Sequence, residues 1–174
     1  GKWIIQNAFS MCTECRKYYP EFRVSINLSY VQILKSPLMM ELKQMIDHSG
    51  ISCSGIIVEL TESGYLEGTP AVRSVWNDMK QLRIQIALDD FGTGYSNLMN
   101  ISNLEPDIVK LDRGFTLKAL SRSYEYQLMQ YVIEMVHKLN QYVCVEGVET
   151  KEDLEKIKAL GPDLIQGYYY SKPC

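Results

Sequence analysis

Ile84-Gln85-Ile86-Ala87-Leu88-Asp89-Asp90 is a short apolar run that ends on two adjacent carboxylates. An amphipathic stretch, 69–82, precedes it, with Pro70 placed for a first helical turn, where a missing N–H costs nothing. The spacing predicts a helix over 69–82 and a strand over 84–89. Working outward, the same unit recurs. Toward the N-terminus, strands are predicted over 22–27 and 55–59. Helices are predicted over 3–19, stopped by Pro20, and over 37–48, stopped by Ser49-Gly50. Toward the C-terminus, strands are predicted over 107–111, 142–146 and 163–166, with a short helix or loop over 96–104. One long helix, 120–139, carries the apolar stripe Leu128, Met129, Val132, Ile133 and Val136. A last helix, 150–160, has Thr150 and Asp153 in capping-box positions and Gly161-Pro162 as its stop. Six β-α units in strict alternation predict parallel strands joined by helical crossovers. This pattern alone admits either an open doubly wound sheet or a closed barrel.

The strand ends carry the chemistry. The successive apolar runs finish on Asn27, Glu59, Asp89-Asp90, Lys110 with Asp112, Glu146, and Gln166. Parallel strands deliver their C-terminal ends to one face, which in barrels bears the active site. Alternation then sorts the side chains. Val143, Val145, Ile84, Ile86 and Leu88 are expected to face helices, and Cys144, Glu146 and Asp89 to face the interior. Any one such acidic residue is more often simply exposed where a strand meets a loop. Six consecutive polar ends are a stronger signal. Glu59, Asp89, Asp90, Asp112 and Glu146 gathered around the single cation Lys110 cannot all stay ionised uncompensated. Either some protonate or a hard divalent cation sits among them. Carboxylates plus an amide carbonyl suit Mg²⁺ or Mn²⁺, and adjacent Asp89 and Asp90 suit two ions and in-line displacement at phosphorus.

Other chemistries find little support. The only histidines, His48 and His137, fall in predicted helices, leaving no base for a Ser-His-Asp triad. Gly92-Thr93-Gly94 is neither a P-loop nor a dinucleotide fingerprint. Cys12 and Cys15 form a C-x-x-C, but no second pair completes a tetrahedral site and no strand precedes them; two thiols on one helix is the expectation. The chain has 174 residues, 46% of them hydrophobic, enough for one domain with a real core. Net charge is −3 and the basic residues are scattered, so no DNA or RNA polymer is an expected partner. No apolar stretch approaches the ~20 residues of a membrane span. No membrane contact is expected of this piece, and a cytoplasmic location is the default.

Asp89-Asp90-Phe91-Gly92-Thr93-Gly94-Tyr95-Ser96 resembles the central signature of EAL domains, the cyclic-di-GMP phosphodiesterases. Flanking motifs match in order: Asn27-Leu28-Ser29, Glu59-Leu60-Thr61-Glu62-Ser63, Lys110-Leu111-Asp112-Arg113, Glu146-Gly147-Val148-Glu149-Thr150 and Gln166-Gly167-Tyr168. The resemblance implies a TIM-type barrel with one reversed strand. It also implies metal-dependent hydrolysis of cyclic-di-GMP to the linear dinucleotide pGpG, with a two-metal Mg²⁺ or Mn²⁺ site. By motif, Asn27, Glu59, Asp89 and Asp90 are implied metal ligands. Lys110 and Glu146 are implied to position or activate the attacking water, and Glu62 to hold the 89–96 loop. Asp112 and Gln166 are implied to lie behind the ligands or against the substrate. The same loop, with its two glycines, is implied to couple catalysis to a homodimer. Tyr168-Tyr169-Tyr170 is expected to pack at the barrel's end, with guanine stacking as the alternative.

The Glu-Ala-Leu motif that names the family belongs before the helix predicted over 3–19, ahead of the first residue here. A barrel of this type takes about 250 residues. The expectation is therefore a single partial EAL domain over 1–174, an α/β barrel with about six of eight units. One ligand glutamate would be missing, and activity would be weak or absent. The alternative is a non-catalytic cyclic-di-GMP-binding or dimerisation module.

Overall fold

In the computed structural model each predicted apolar run becomes a strand and each long amphipathic stretch becomes helical. It describes residues 2–29, 32–33, 37–61, 70–93, 101 and 104–172. In chain order the described elements are α1 (Lys2–Arg16), β1 (Val24–Asn27), α2 (Leu38–Ser49), β2 (Ile56–Thr61), α3 (Pro70–Gln81) and β3 (Gln85–Phe91). They continue with β4 (Ile108–Leu111), α4 (Arg113–Ser121), α5 (Ser123–Lys138), β5 (Tyr142–Glu146), α6 (Lys151–Ala159) and β6 (Leu164–Gln166). The strands hydrogen-bond in chain order, β1-β2-β3-β4-β5-β6. The chain folds as two compact units, 1–87 and 88–174.

In the first unit, α1 buries Ile5, Phe9 and Cys12, spaced to lie on one helical face. The α2 helix buries Leu38, Leu42 and Met45 and ends at Gly50, whose left-handed backbone (φ 65°) returns an N–H to Ile46. Phe9, Leu42, Ile56 and Met79 are among its fully buried side chains. Each contributes about 1.5–3 kcal/mol through the area it removes from water. β1 and β2 pair in parallel with Asn27 opposite Glu59, and Leu28 N donates to Glu59 O at 3.0 Å just past the ladder. Both strand termini therefore arrive at the same edge.

In the second unit, β4 pairs in parallel with β5, and β5 with β6, in registers that set Lys110 opposite Cys144 and Glu146 opposite Gln166. Every residue of β4 is buried, as expected for a strand covered on both faces. Three readings of the sequence are revised. The 120–139 helix is two helices: Arg122 sits in extended backbone (φ −139°, ψ 130°) between α4 and α5. α4 itself begins earlier, at Arg113, because Asp112 caps it by accepting from Gly114 N at 2.7 Å. β3 runs two residues beyond Asp89, because Phe91 O takes the N–H of Asp112 at 3.0 Å. Most of the 96–104 segment lies outside the described residues.

Candidate active site

Burial of a charged side chain demands a partner, and in the first unit Glu59 shows one. Its carboxylate is buried, and Oε1 accepts a short hydrogen bond from Ser25 Oγ. Ser25 and Asn27 share the exposed face of β1, while Val24 and Ile26 turn into the core. Period-two alternation thus presents Ser25 and Asn27 together, beside the end of β2 that carries Glu59. Ser25 went unread in the sequence. Its position two residues before Asn27 was the available signal.

In the second unit Lys110 is buried between two carboxylates. Its ammonium lies 3.1 Å from Asp89 Oδ1 and 2.7 Å from Glu146 Oε1, with all three side chains largely out of solvent. Asp89 Oδ1 is buried, yet the ammonium sits off its hydrogen-bonding direction, so the oxygen is charge-compensated without being satisfied as an acceptor. Asp90 follows with a left-handed backbone, φ 61°, which only Gly, Asn and Asp adopt readily. In a regular strand Asp89 and Asp90 would project to opposite faces; the positive φ breaks that alternation, and both residues are half-buried.

Asp112 spends one carboxylate oxygen on the α4 cap. Gln166 is exposed at the end of β6 and, with Glu146, lines a pocket of about 390 Å³ whose wall includes Arg113, Glu149 and Tyr168. Glu62 lies outside the described residues, as do positions 94–96 of the signature loop. The tyrosine run is not packed as expected: Tyr168, Tyr169 and Tyr170 are 54%, 40% and 57% exposed, because the chain turns immediately after β6. Tyr169 and Tyr170 meet edge to face at 5.3 Å. Arg113 and Glu149, quoted within motifs but given no role there, form an ion pair at 2.6 Å. Hydrogen bonding to Glu149, and then its charge, hold the Arg113 guanidinium above its already high ordinary pKa.

Among the described residues no three His, Cys, Asp or Glu side chains sit close enough to enclose a metal ion. Lys110 fills the space between Asp89 and Glu146 that a cation would otherwise neutralise. Mg²⁺ typically takes only one or two carboxylates and completes its shell with water and substrate phosphate. The unsatisfied Asp89 oxygen fits that open kind of site.

The EAL domain model matches residues 1–173, nearly the whole chain. The chain belongs to the EAL domain family. Its α/β fold is of the TIM-barrel type that EAL domains share. Among relatives of this EAL chain, the cyclic di-GMP phosphodiesterase PdeF of Escherichia coli K12 is 31% identical over 171 residues, which is 98% of this chain and 23% of PdeF. The chain thus spans about a quarter of the length of relatives such as PdeF and PdeR of Escherichia coli K12. The solved PaMucR phosphodiesterase, in complex with c-di-GMP, superposes with a TM-score of 0.89 at 26% identity, covering 99% of this chain and 70% of that one. The EAL domain of Mycobacterium smegmatis DcpA superposes with a TM-score of 0.90 at 26% identity, covering 99% of this chain and 78% of that one.

Proposed function

We propose that this EAL chain hydrolyses one phosphodiester bond of cyclic-di-GMP, giving linear pGpG. The observation that carries the reading is Lys110 held between Asp89 and Glu146 at strand ends of a chain related to named cyclic di-GMP phosphodiesterases. Cleavage is an in-line displacement: a water oxygen attacks phosphorus, one P–O bond breaks, and the water's proton ends on the departing 3′ oxygen. In this reading Glu146 accepts the proton from water, and the Lys110 ammonium stabilises the charge that develops on the attacking oxygen. Asp112 and Gln166 stand behind these groups or against the substrate. The motif role proposed for Glu62 is to hold the 89–96 loop, and the same loop is the proposed place of homodimer pairing. Asn27, Glu59, Asp89 and Asp90 are the proposed oxygen donors for Mg²⁺ or Mn²⁺. A divalent cation there would supply Lewis acidity at the phosphoryl oxygens and acidify bound water.

The test is turnover of cyclic-di-GMP by the full-length protein with Mg²⁺ or Mn²⁺, followed by chromatography of the linear product. Turnover is expected for the natural sequence and its loss for Glu59→Ala. An inert full-length protein rejects the enzyme reading. Binding without cleavage is the second reading. Tight calorimetric binding without product formation would establish it.

A further inference from the structure

Arg113 follows Lys110 by three residues, and Glu149 follows Glu146 by three. The β4–β5 ladder stops at Leu111 opposite Val145. Past that point β4 is held to β3 through Asp112 N on Phe91 O, and β5 to β6 through Glu146 opposite Gln166. Arg113 adds a direct tie between the two ends, beside the 2.7 Å contact of Lys110 with Glu146. Its Nε and Nη2 both donate to Glu149 Oε1, at 3.1 and 2.6 Å. To reach there the side chain crosses Gly147 so closely that a Cβ on that glycine would fall 2.4 Å from Arg113 Cγ. Each partner is anchored at a helix start: Arg113 opens α4 behind the Asp112 cap, and Glu149 immediately precedes Thr150, the cap of α6. The pair and Glu146 border the same pocket.

We propose that Arg113 and Glu149 are positioning residues for hydrolysis: their ion pair clasps the ends of β4 and β5 and so sets Glu146 against Lys110. This rests on the phosphodiesterase reading for its kinetic consequence, but not for its structural one. The two side chains are 57% and 37% exposed. Solvent screens an exposed pair, so it contributes little to folding, and the clasp acts on geometry while leaving stability nearly untouched.

The experiment uses the full-length protein with Arg113→Met, Arg113→Lys and Glu149→Gln. Three readouts are taken: steady-state kinetics on cyclic-di-GMP, thermal unfolding, and the ¹⁵N NMR signal of the Lys110 ammonium. Arg113→Met and Glu149→Gln are expected to lower kcat about tenfold or more, since small misplacements of reacting groups are that costly. KM should stay within about twofold, the sign of an interaction used only in the transition state. Tm should hold, Arg113→Lys should recover part of kcat, and the Lys110 signal should broaden or shift in the two disabling variants. Unchanged kcat overturns the clasp. So does a loss confined to KM, which would mean that these residues touch substrate. If the natural sequence shows no turnover, the phosphodiesterase reading fails by itself, and the Lys110 signal decides the clasp: altered by Arg113→Met it stands, unaltered it falls.

Discussion

Asp90 holds a left-handed backbone in a strand whose other residues are extended, directly after a second carboxylate, Asp89. Such a conformation costs a residue with an ordinary side chain about 1–2 kcal/mol, and less for Asn or Asp. Asp90→Asn should therefore keep stability within about 0.5 kcal/mol, and Asp90→Ala should lose about 1 kcal/mol or more, read from urea midpoints. Lys110 faces a sharper demand. Removing it strands Asp89 and Glu146 beside each other, and breaking a buried pair costs about 3–5 kcal/mol. Lys110→Met is expected near the lower figure, because both carboxylates keep some contact with solvent. A denaturation curve unchanged by Lys110→Met would contradict the ion-paired arrangement. At Cys12, burial pushes the thiol pKa up, partly offset by the Arg16 charge. A thiol with a higher pKa folded than unfolded stabilises the fold fully below about pH 8.5, and that contribution fades as pH rises past it. Stability should thus fall as pH rises above about 8.5, and less so in Cys12→Ala. Iodoacetamide should label Cys15 and Cys53 in the native protein before the buried Cys12 and Cys144, as mass spectrometry of peptides would show.

Individual elements show what a local pattern reveals and what it hides. The β5 strand was predicted to the residue, and so was the Thr150–Asp153 capping box, because each is encoded within a few adjacent positions. Thr150→Ala should cost about 1 kcal/mol, measurable as a lowered Tm, since it unsatisfies the Asp153 N–H at the start of α6. Gly114 in the first turn of α4 argues against a helix there, and the hydrogen bond that its N–H donates to the Asp112 carboxylate outweighs that penalty. The break at Arg122 carries no Gly or Pro to announce it. The end of β3 depended on Phe91 meeting Asp112, a contact between segments that no local window contains. Candidate site residues were legible as polar ends of apolar runs. Their partners were not, because Ser25 on Glu59 and Arg113 on Glu149 are set by neighbouring strands.

For the whole molecule the proposal makes activity conditional on divalent cations. Chelation with EDTA should abolish cyclic-di-GMP turnover, and Mn²⁺ or Mg²⁺ should restore it while far-ultraviolet circular dichroism stays constant, since the described core is closed by apolar side chains. Retained activity after exhaustive chelation would refute metal dependence. The sheet order has a kinetic consequence as well. Strands that are neighbours in space are also successive in the chain, and partners such as Asn27 with Glu59, or Lys110 with Cys144, lie about thirty positions apart. During translation each new strand therefore leaves the ribosome with its template already made, and residues 1–87 can settle before the remainder is synthesised. Refolding from denaturant forfeits this order: all pairings must then compete at once, so misregistered intermediates should accumulate in the test tube that synthesis in the cell avoids.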